Sequence, residues 1–235
     1  MLEAIRKFGV EKRWVYGIVF GFVSIAFVGS MSIGGLGNSS GTYAAKVGDQ
    51  AILAVEFNNA YEKRYRQYEG AIPDFDIKMA RELNLRTTVL YSMIDRLLWL
   101  KEAETMGLSV SNDEVKEEVL AIDAFHVNGR FNSAHYKRTL LRIKQTPETF
   151  EQDVRNDLLV AKAKSIIAAG AAITNVDLMA FAQEDAQLPE AERAERIASR
   201  REGLLSRKQA QTVEAYASQL RNAADIEIFE EVLGI

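Results

Sequence analysis

Residues that could carry out chemistry are few and widely spaced in this chain. Its 235 residues include no cysteine and two histidines, His126 and His135. Without cysteine there can be no disulfide, no Cys-ligated zinc and no thiol nucleophile. The adjacent carboxylates of Glu117 and Glu118 project in different directions from a helix, so we expect them to be surface charges. Nothing in this set predicts a metal centre or a pair of acid and base groups.

Motifs of the common enzyme classes are missing from the sequence as well. The chain contains no GxSxG, HExxH, P-loop, GxGxxG or EF-hand pattern. We therefore expect no catalytic residues, no cofactor and no metal ion, and a binding protein is favoured over an enzyme. The net charge of −4 argues against nucleic acid as a partner, because phosphate binding needs clustered excess Lys and Arg.

An uncharged run of twenty residues, 14–33, dominates the N-terminus. At a helical rise of about 1.5 Å per residue it spans about 30 Å, the thickness of a bilayer core. Residues 1–13 carry four basic and two acidic side chains, so this flank is expected in the cytoplasm and the remaining chain across the membrane. The predicted anchor residues are Trp14, Tyr16, Phe20, Phe22, Ile25 and Phe27. A cleaved signal peptide is the alternative, because small residues occur at 29–32.

After an expected flexible linker at 34–42, the sequence predicts a mainly helical body. Residues 43–53 read as a β-hairpin that turns at Gly48-Asp49. Helical periodicity begins near Val55, Pro73 interrupts it, and one long helix is expected over about 74–106.

Later helices are marked by their N-terminal capping residues. The pattern from Ser111 to Glu114 is a capping box, and Asn132, Thr146 and Thr174 are further candidate caps. Between Phe125 and Phe131 the chain reads FHVNGRF, in which Asn-Gly predicts a tight turn that brings the two phenylalanines close together.

The C-terminal end is predicted to complete the N-terminal part of the body. A helix over about 190–223 is followed by a short strand at 225–229, in which Ile226 and Ile228 alternate with Glu227. A lone strand must pair with another, and the hairpin at 43–53 is the available partner. We therefore expect this strand to join the hairpin and to bury both isoleucines.

Several of these features together resemble a known family. The chain resembles the N-terminal chaperone domain of the SurA/PpiD family of periplasmic folding factors in three features. These are AAKVGDQAI after the apolar run, the stretch LYSMIDRLLWLKEAETMGLSVSNDEV, and the order of Ser111–Glu114, Phe125–Phe131, Tyr136, Pro147 and Phe150. The resemblance covers about residues 1–180 and is greater to the members with a single N-terminal transmembrane helix. We expect no counterpart here of the parvulin-type isomerase domain of those members, because Ile173–Ala182 runs almost directly into the predicted helix at 190–223.

The resemblance implies a function and a division of the chain. It implies a chaperone (holdase) that works without ATP, is anchored in the bacterial inner membrane and faces the periplasm, and has no prolyl isomerase activity. Its expected partners are unfolded or nascent envelope polypeptides, the lipid bilayer and the Sec translocon. The alternative is a scaffold or assembly subunit of one dedicated envelope complex. The expected parts beyond residue 42 are a chaperone domain at 43–182 and a helix and strand at 183–235 that pack back on it.

The candidate client contacts are apolar and aromatic side chains of the helical body. Phe57, Tyr61, Tyr65 and Tyr68 recur at helical spacing and form an aromatic stripe. Aromatic and methionine side chains adapt to varied ligands. The predicted contacts are Tyr61, Tyr65, Tyr68, Met79, Phe125 and Phe131. For each of them, ordinary packing in the core is the alternative.

Overall fold

A computed structural model describes residues 43–184, 187 and 189–233, which form a mainly helical fold with two small sheets. The strands are β1 (Tyr43–Val47), β2 (Gln50–Leu53), β3 (His126–Val127), β4 (Arg130–Phe131) and β5 (Ile226–Ile228). The helices are α1 (Ala54–Ala71), α2 (Ile77–Glu82), α3 (Leu85–Thr105), α4 (Asn112–Ala121), α5 (Ser133–Arg142), α6 (Pro147–Ala169), α7 (Asn175–Glu184), α8 (Glu190–Ala223) and α9 (Glu230–Leu233).

The predicted membrane helix and linker lie outside the described residues. This applies to all six predicted anchor residues, from Trp14 to Phe27. Within the part of the chain that the structure describes, no helix combines the length and apolar character needed to cross a bilayer.

The larger sheet joins the two ends of the described chain. Its strand order is β2-β1-β5, and both pairings are antiparallel. The β1–β2 turn occurs at Gly48-Asp49, and Gly48 has a φ of +56°, which glycine adopts without strain. The predicted pairing of the C-terminal strand with the hairpin is confirmed. Ile226 and Ile228 of that strand are half-buried, so they are less enclosed than the sequence led us to expect.

The prediction of a single long helix over about 74–106 is wrong, because the chain forms two helices there. Helix α2 begins only after Asp76, whose Oδ1 accepts a hydrogen bond of 2.8 Å from the Met79 amide. It ends before Asn84, which has a φ of +48° and a left-handed conformation. Asparagine tolerates this conformation because its side chain is short and polar. The interruption separates α2 from α3.

The predicted capping residues are confirmed in the α4–α6 region. Ser111 and Glu114 form the reciprocal capping box, with hydrogen bonds of 3.2 and 2.9 Å. The side chain of Asn132 accepts a hydrogen bond from the backbone at the start of α5, and Thr146 does the same for α6. Asn128-Gly129 is the tight turn of the β3–β4 hairpin, with positive φ at both residues.

Three clusters of buried side chains hold these elements together. The first packs the larger sheet against α1 and α3, the second lies among α4, α5 and α6, and the third joins α3, α6 and α8. Trp99 is the largest fully buried side chain, and it packs against Tyr216 of α8 at a ring distance of 5.7 Å. The Tyr216 hydroxyl donates a hydrogen bond of 2.6 Å to Glu102 on α3. Helix α8 is therefore packed on the body over part of its length.

A buried charge cluster lies where α3 meets α6. The Arg96 guanidinium lies 2.6 Å from an Asp157 oxygen, and these side chains are only 6% and 11% exposed. Asp153 is also buried and accepts a hydrogen bond from Gln145. Burial raises the pKa of Asp157 to about 6, although Arg96 acts in the opposite direction. Burial also disfavours the charged form of Lys63 on α1, and it therefore lowers the pKa of that lysine.

Candidate functional site

A large concavity in the described part of the chain lies between α1 and the α2–α3 junction. We call it the tyrosine groove, and its volume is about 1100 Å³. Its lining residues are Tyr61, Glu62, Tyr65, Arg66 and Glu69 of α1, with Ile77, Ala80, Arg81, Asn84, Leu85, Arg86 and Thr87 on the opposite side. The four-residue spacing of Tyr61, Tyr65 and Glu69 places them on one face of α1.

The two tyrosines of the groove pack in a row that leads to Phe75. The Tyr61 and Tyr65 rings are 6.2 Å apart, and the Tyr65 and Phe75 rings are 5.2 Å apart. Both tyrosines are half-buried, so each ring keeps one part on the core and one part on the groove. Tyr68 stacks on Phe75 at 5.3 Å and is not part of the groove lining.

Arg86 connects the groove to the C-terminal segment. Its guanidinium lies over the Tyr61 ring at 4.7 Å and over the Phe57 ring at 5.0 Å, within the range of cation–π attraction. It also donates hydrogen bonds to Asn58 Oδ1, at 3.1 Å, and to the Val232 carbonyl of α9, at 2.8 Å. The C-terminal helix therefore helps to hold one wall of the groove in position.

The charges of the tyrosine groove are of both signs. Arg66 and Glu62 form an exposed pair at 3.3 Å, while Arg81, Arg86 and Glu69 line the groove further along. Among the described residues, no group of three or more His, Asp or Glu side chains is suited to hold a metal ion. The groove can therefore bind by apolar contact and by polar groups of either sign, with little preference for one charge.

Helix α2 and its C-terminal residue carry exposed apolar side chains near the groove. Met79 is 38% exposed, and its neighbours Ile77 and Leu83 are more exposed still. Ile77 lines the groove, whereas Met79, two residues further on, projects from a different face of α2. Met79 is therefore accessible, and it lies on the helix that forms one side of the groove.

Phe125 and Phe131 lie in another part of the molecule. Phe125 is 3% exposed and packs edge-on against Tyr136 and Phe150, with ring distances of 4.8 and 5.4 Å, inside the second core. Phe131 is half-buried, and its ring lies 5.8 Å from that of Tyr136. The hairpin does bring the two segments together, because the Asn132 amide donates to the Phe125 carbonyl. The six predicted contacts therefore do not form a single site.

Sequence reasoning did not identify the arginines of the tyrosine groove. Arg81 and Arg86 belong to different helices, separated by the left-handed residue Asn84, and both line the groove. The pattern of α1 alone predicted the aromatic wall, because one helix face can be read from residue spacing.

The fold and this groove define a class of mainly helical domain, closed by a small sheet, with an open groove lined by aromatic, apolar and charged side chains. Residues 1–164 match the model of the SurA-like N-terminal domain family. The chain therefore belongs to the SurA-like N-terminal domain family, and the resemblance read from the sequence is confirmed.

Two relatives show how far the similarity extends. The chain is 29% identical to the periplasmic chaperone PpiD of Escherichia coli (strain K12) over 222 residues, which cover 93% of this chain and 35% of the relative. It is 28% identical to the periplasmic chaperone PpiD of Haemophilus influenzae over 156 residues, or 64% of this chain and 25% of that relative. The chain thus spans about a third of the length of the curated relatives it matches.

Proposed function

We propose that this protein is a membrane-anchored periplasmic chaperone that holds unfolded or newly translocated envelope polypeptides without ATP. The observation that carries this proposal is the tyrosine groove, with its two half-buried tyrosines and the exposed Ile77 of α2 in its lining. The name of the relatives, periplasmic chaperone, supports the same function. In this proposal residues 43–182 form the chaperone domain, and residues 183–235 pack back on it. No prolyl isomerase activity is part of the proposed function.

The groove suits a ligand without a fixed sequence. Tyr61 and Tyr65 offer apolar ring surface together with a hydroxyl, so they can contact either a side chain or a peptide backbone. Met79 is flexible enough to fit ligands of different shape. The proposed client contacts in the groove are Tyr61 and Tyr65. Tyr68 and Met79 are proposed contacts outside its lining, and Phe131 is one at a separate position. In this proposal Phe125, which is 3% exposed, packs in the second core.

The second part of the proposal is the membrane anchor at residues 14–33. An anchor would hold the groove near the Sec translocon, where clients emerge, and would raise the local concentration of chaperone there. We expect the mature protein to fractionate with the inner membrane, to retain its N-terminus and to expose its C-terminal part to protease added to the periplasmic side. A mature chain that begins near Lys46 and occurs in the soluble periplasm would contradict the anchor.

The groove is tested by replacing its two tyrosines. We expect Tyr61→Ser with Tyr65→Ser in the full chain, purified in a mild detergent, to lose most of its ability to suppress aggregation of a denatured client. Truncating an aromatic contact residue commonly costs about 1–2 kcal/mol of binding, so the pair should weaken client binding roughly tenfold or more. Light scattering with two unrelated denatured clients measures the effect.

Tyr91→Ser is the matched control, because Tyr91 is an exposed tyrosine of α3 outside the groove lining. Circular dichroism establishes that each variant remains folded. Equal suppression by the folded double variant and by wild type would remove the groove from the proposed mechanism. A protein that suppresses neither client, but binds one envelope protein stoichiometrically, would instead be a dedicated assembly subunit.

A further inference from the structure

A second concavity lies among α4, α5, α6 and the β3–β4 hairpin. We call it the lysine groove, and its volume is about 420 Å³. It shares no lining residue and no helix with the tyrosine groove. A volume of this size is that of a pocket for a few side chains of a ligand.

The base of the lysine groove is apolar and continuous with the second core. Val119 and Tyr136 are buried there, while Phe131 is half-buried. Leu120, at 39% exposure, stands at the edge. An apolar ligand side chain placed here would cover Leu120 and Phe131 and would extend the packing of the second core.

The charges around the lysine groove are mostly positive. Its four charged lining residues are Lys116, Lys137, Arg155 and Glu151. Arg155 already donates to the Val110 carbonyl and to Asn112 Oδ1, and Glu151 lies 3.4 Å from the Tyr136 hydroxyl.

Lys116 and Lys137 are exposed, and neither forms an ion pair within 4.0 Å with another residue of the described chain. The pKa of nearby Glu148 is lowered mainly by backbone amides at the start of α6, then by Thr146, with Lys137 a smaller contributor. The two lysines are therefore available to a ligand.

We propose that the lysine groove binds a segment of a partner polypeptide in which an aliphatic or aromatic side chain is flanked by carboxylates. The apolar side chain would cover Leu120 and Phe131, and the carboxylates would lie against Lys116 and Lys137. Complementary charge of this kind confers selectivity for one class of partner. The lysine groove would thus discriminate by charge, whereas the mixed charges of the tyrosine groove do not.

Three labelled peptides of equal length test the proposal with the full chain in detergent. The first alternates Glu with Leu and Phe, the second replaces each Glu with Lys, and the third replaces each Leu and Phe with Ser. Fluorescence anisotropy should show that the first binds at least tenfold more tightly than the other two. Lys116→Glu with Lys137→Glu should weaken its binding at least tenfold, and Leu120→Gln should weaken it several-fold.

The matched control carries the same change of charge at exposed positions outside the groove, Lys101→Glu with Arg138→Glu. We expect that control, and the Tyr61→Ser/Tyr65→Ser variant, to bind the acidic peptide like wild type. Loss of peptide binding through the lysine groove can therefore be distinguished from loss of client binding through the tyrosine groove. Equal binding of the acidic and basic peptides would overturn the proposal. The proposal would also be overturned if the protein bound none of the peptides but bound phosphatidylglycerol vesicles in a way that required both lysines. The ligand would then be a lipid surface.

Discussion

Arg96→Met is expected to lower the free energy of unfolding by about 3–5 kcal/mol at pH 7.5, because it leaves buried carboxylates without their main cation. Arg96 lies 2.6 Å from Asp157, and its guanidinium also approaches the Asp153 backbone carbonyl. Lys63 of α1 attracts the same carboxylates and limits the loss. Thermal and urea unfolding of the full chain in detergent, followed by circular dichroism, measure the effect.

The stability deficit of this variant should shrink as the pH falls. Burial raises the folded-state pKa of Asp157 to about 6, above the ordinary value of 3.8. A carboxyl with a raised folded-state pKa contributes stability that is fully present below its unfolded-state pKa, at about pH 4. That stability is lost as the pH rises through its folded-state pKa of about 6. Without Arg96 the folded-state pKa rises further, so the deficit should be largest near pH 8 and clearly smaller near pH 5.

An exposed ion pair provides the control for Arg96. Arg66→Met removes the partner of Glu62, and these side chains are 75% and 66% exposed. Such surface pairs contribute less than about 1 kcal/mol, so Arg66→Met should change stability little at any pH between 5 and 8. Adding Asp157→Leu to Arg96→Met should recover part of the loss, since an apolar pair can replace a buried ion pair. A deficit below about 1 kcal/mol, or one that does not vary with pH, would contradict this account.

Deleting residues 224–235 is expected to lower the melting temperature by about 10 °C and to loosen the tyrosine groove. The deletion removes β5, together with hydrogen bonds of 2.8 Å from Gly48 to Asp225 and 3.1 Å from Phe229 to Ala44. It also removes half-buried apolar side chains from the first core. We estimate the combined loss at about 3–5 kcal/mol, which corresponds to about 10 °C in a chain of this size.

The same deletion removes the Val232 carbonyl that holds Arg86 over Tyr61, so client binding should fall as well. Hydrogen exchange of the β1 amides and limited proteolysis of the β1–β2 hairpin locate the damage. Ile226→Asp with Ile228→Asp should reproduce most of the loss of stability, because both side chains pack against the first core.

Glu227 supplies the comparison on the same strand. Its pair with Lys46 is exposed and 3.7 Å long, so Glu227→Ala should leave the melting temperature within about 2 °C of wild type. If the truncated protein melts like the full chain, the C-terminal segment does not complete the domain.

Much of the local structure was readable from residue types. Ser111, Asn132 and Pro147 mark helix starts whatever the rest of the fold, because capping involves only neighbouring backbone groups. The hairpin at Gly48 and the strand at Ile226 were also readable, since alternation and turn residues act over a few positions.

Two features of the candidate site could not be read in this way. The apolar pattern of residues 74–106 continues through Asn84, so periodicity alone predicted one helix where there are two. Nothing in the sequence indicated that Asp153 and Asp157 of α6 are buried beside Arg96 of α3. In each case the outcome depends on contacts between residues far apart in the chain.

The sequence by itself determined the family, the helical class and the aromatic face of α1. These follow from residue type and short-range spacing, which the chain carries whatever its partners in space. Tertiary structure alone decided that Phe125 is core, that Tyr61 and Tyr65 meet Arg81 and Arg86 across one groove, and that α9 holds Arg86 in position. The physical reason is that burial and groove shape arise from packing between helices, and a pattern along one helix does not specify which other helix will cover it.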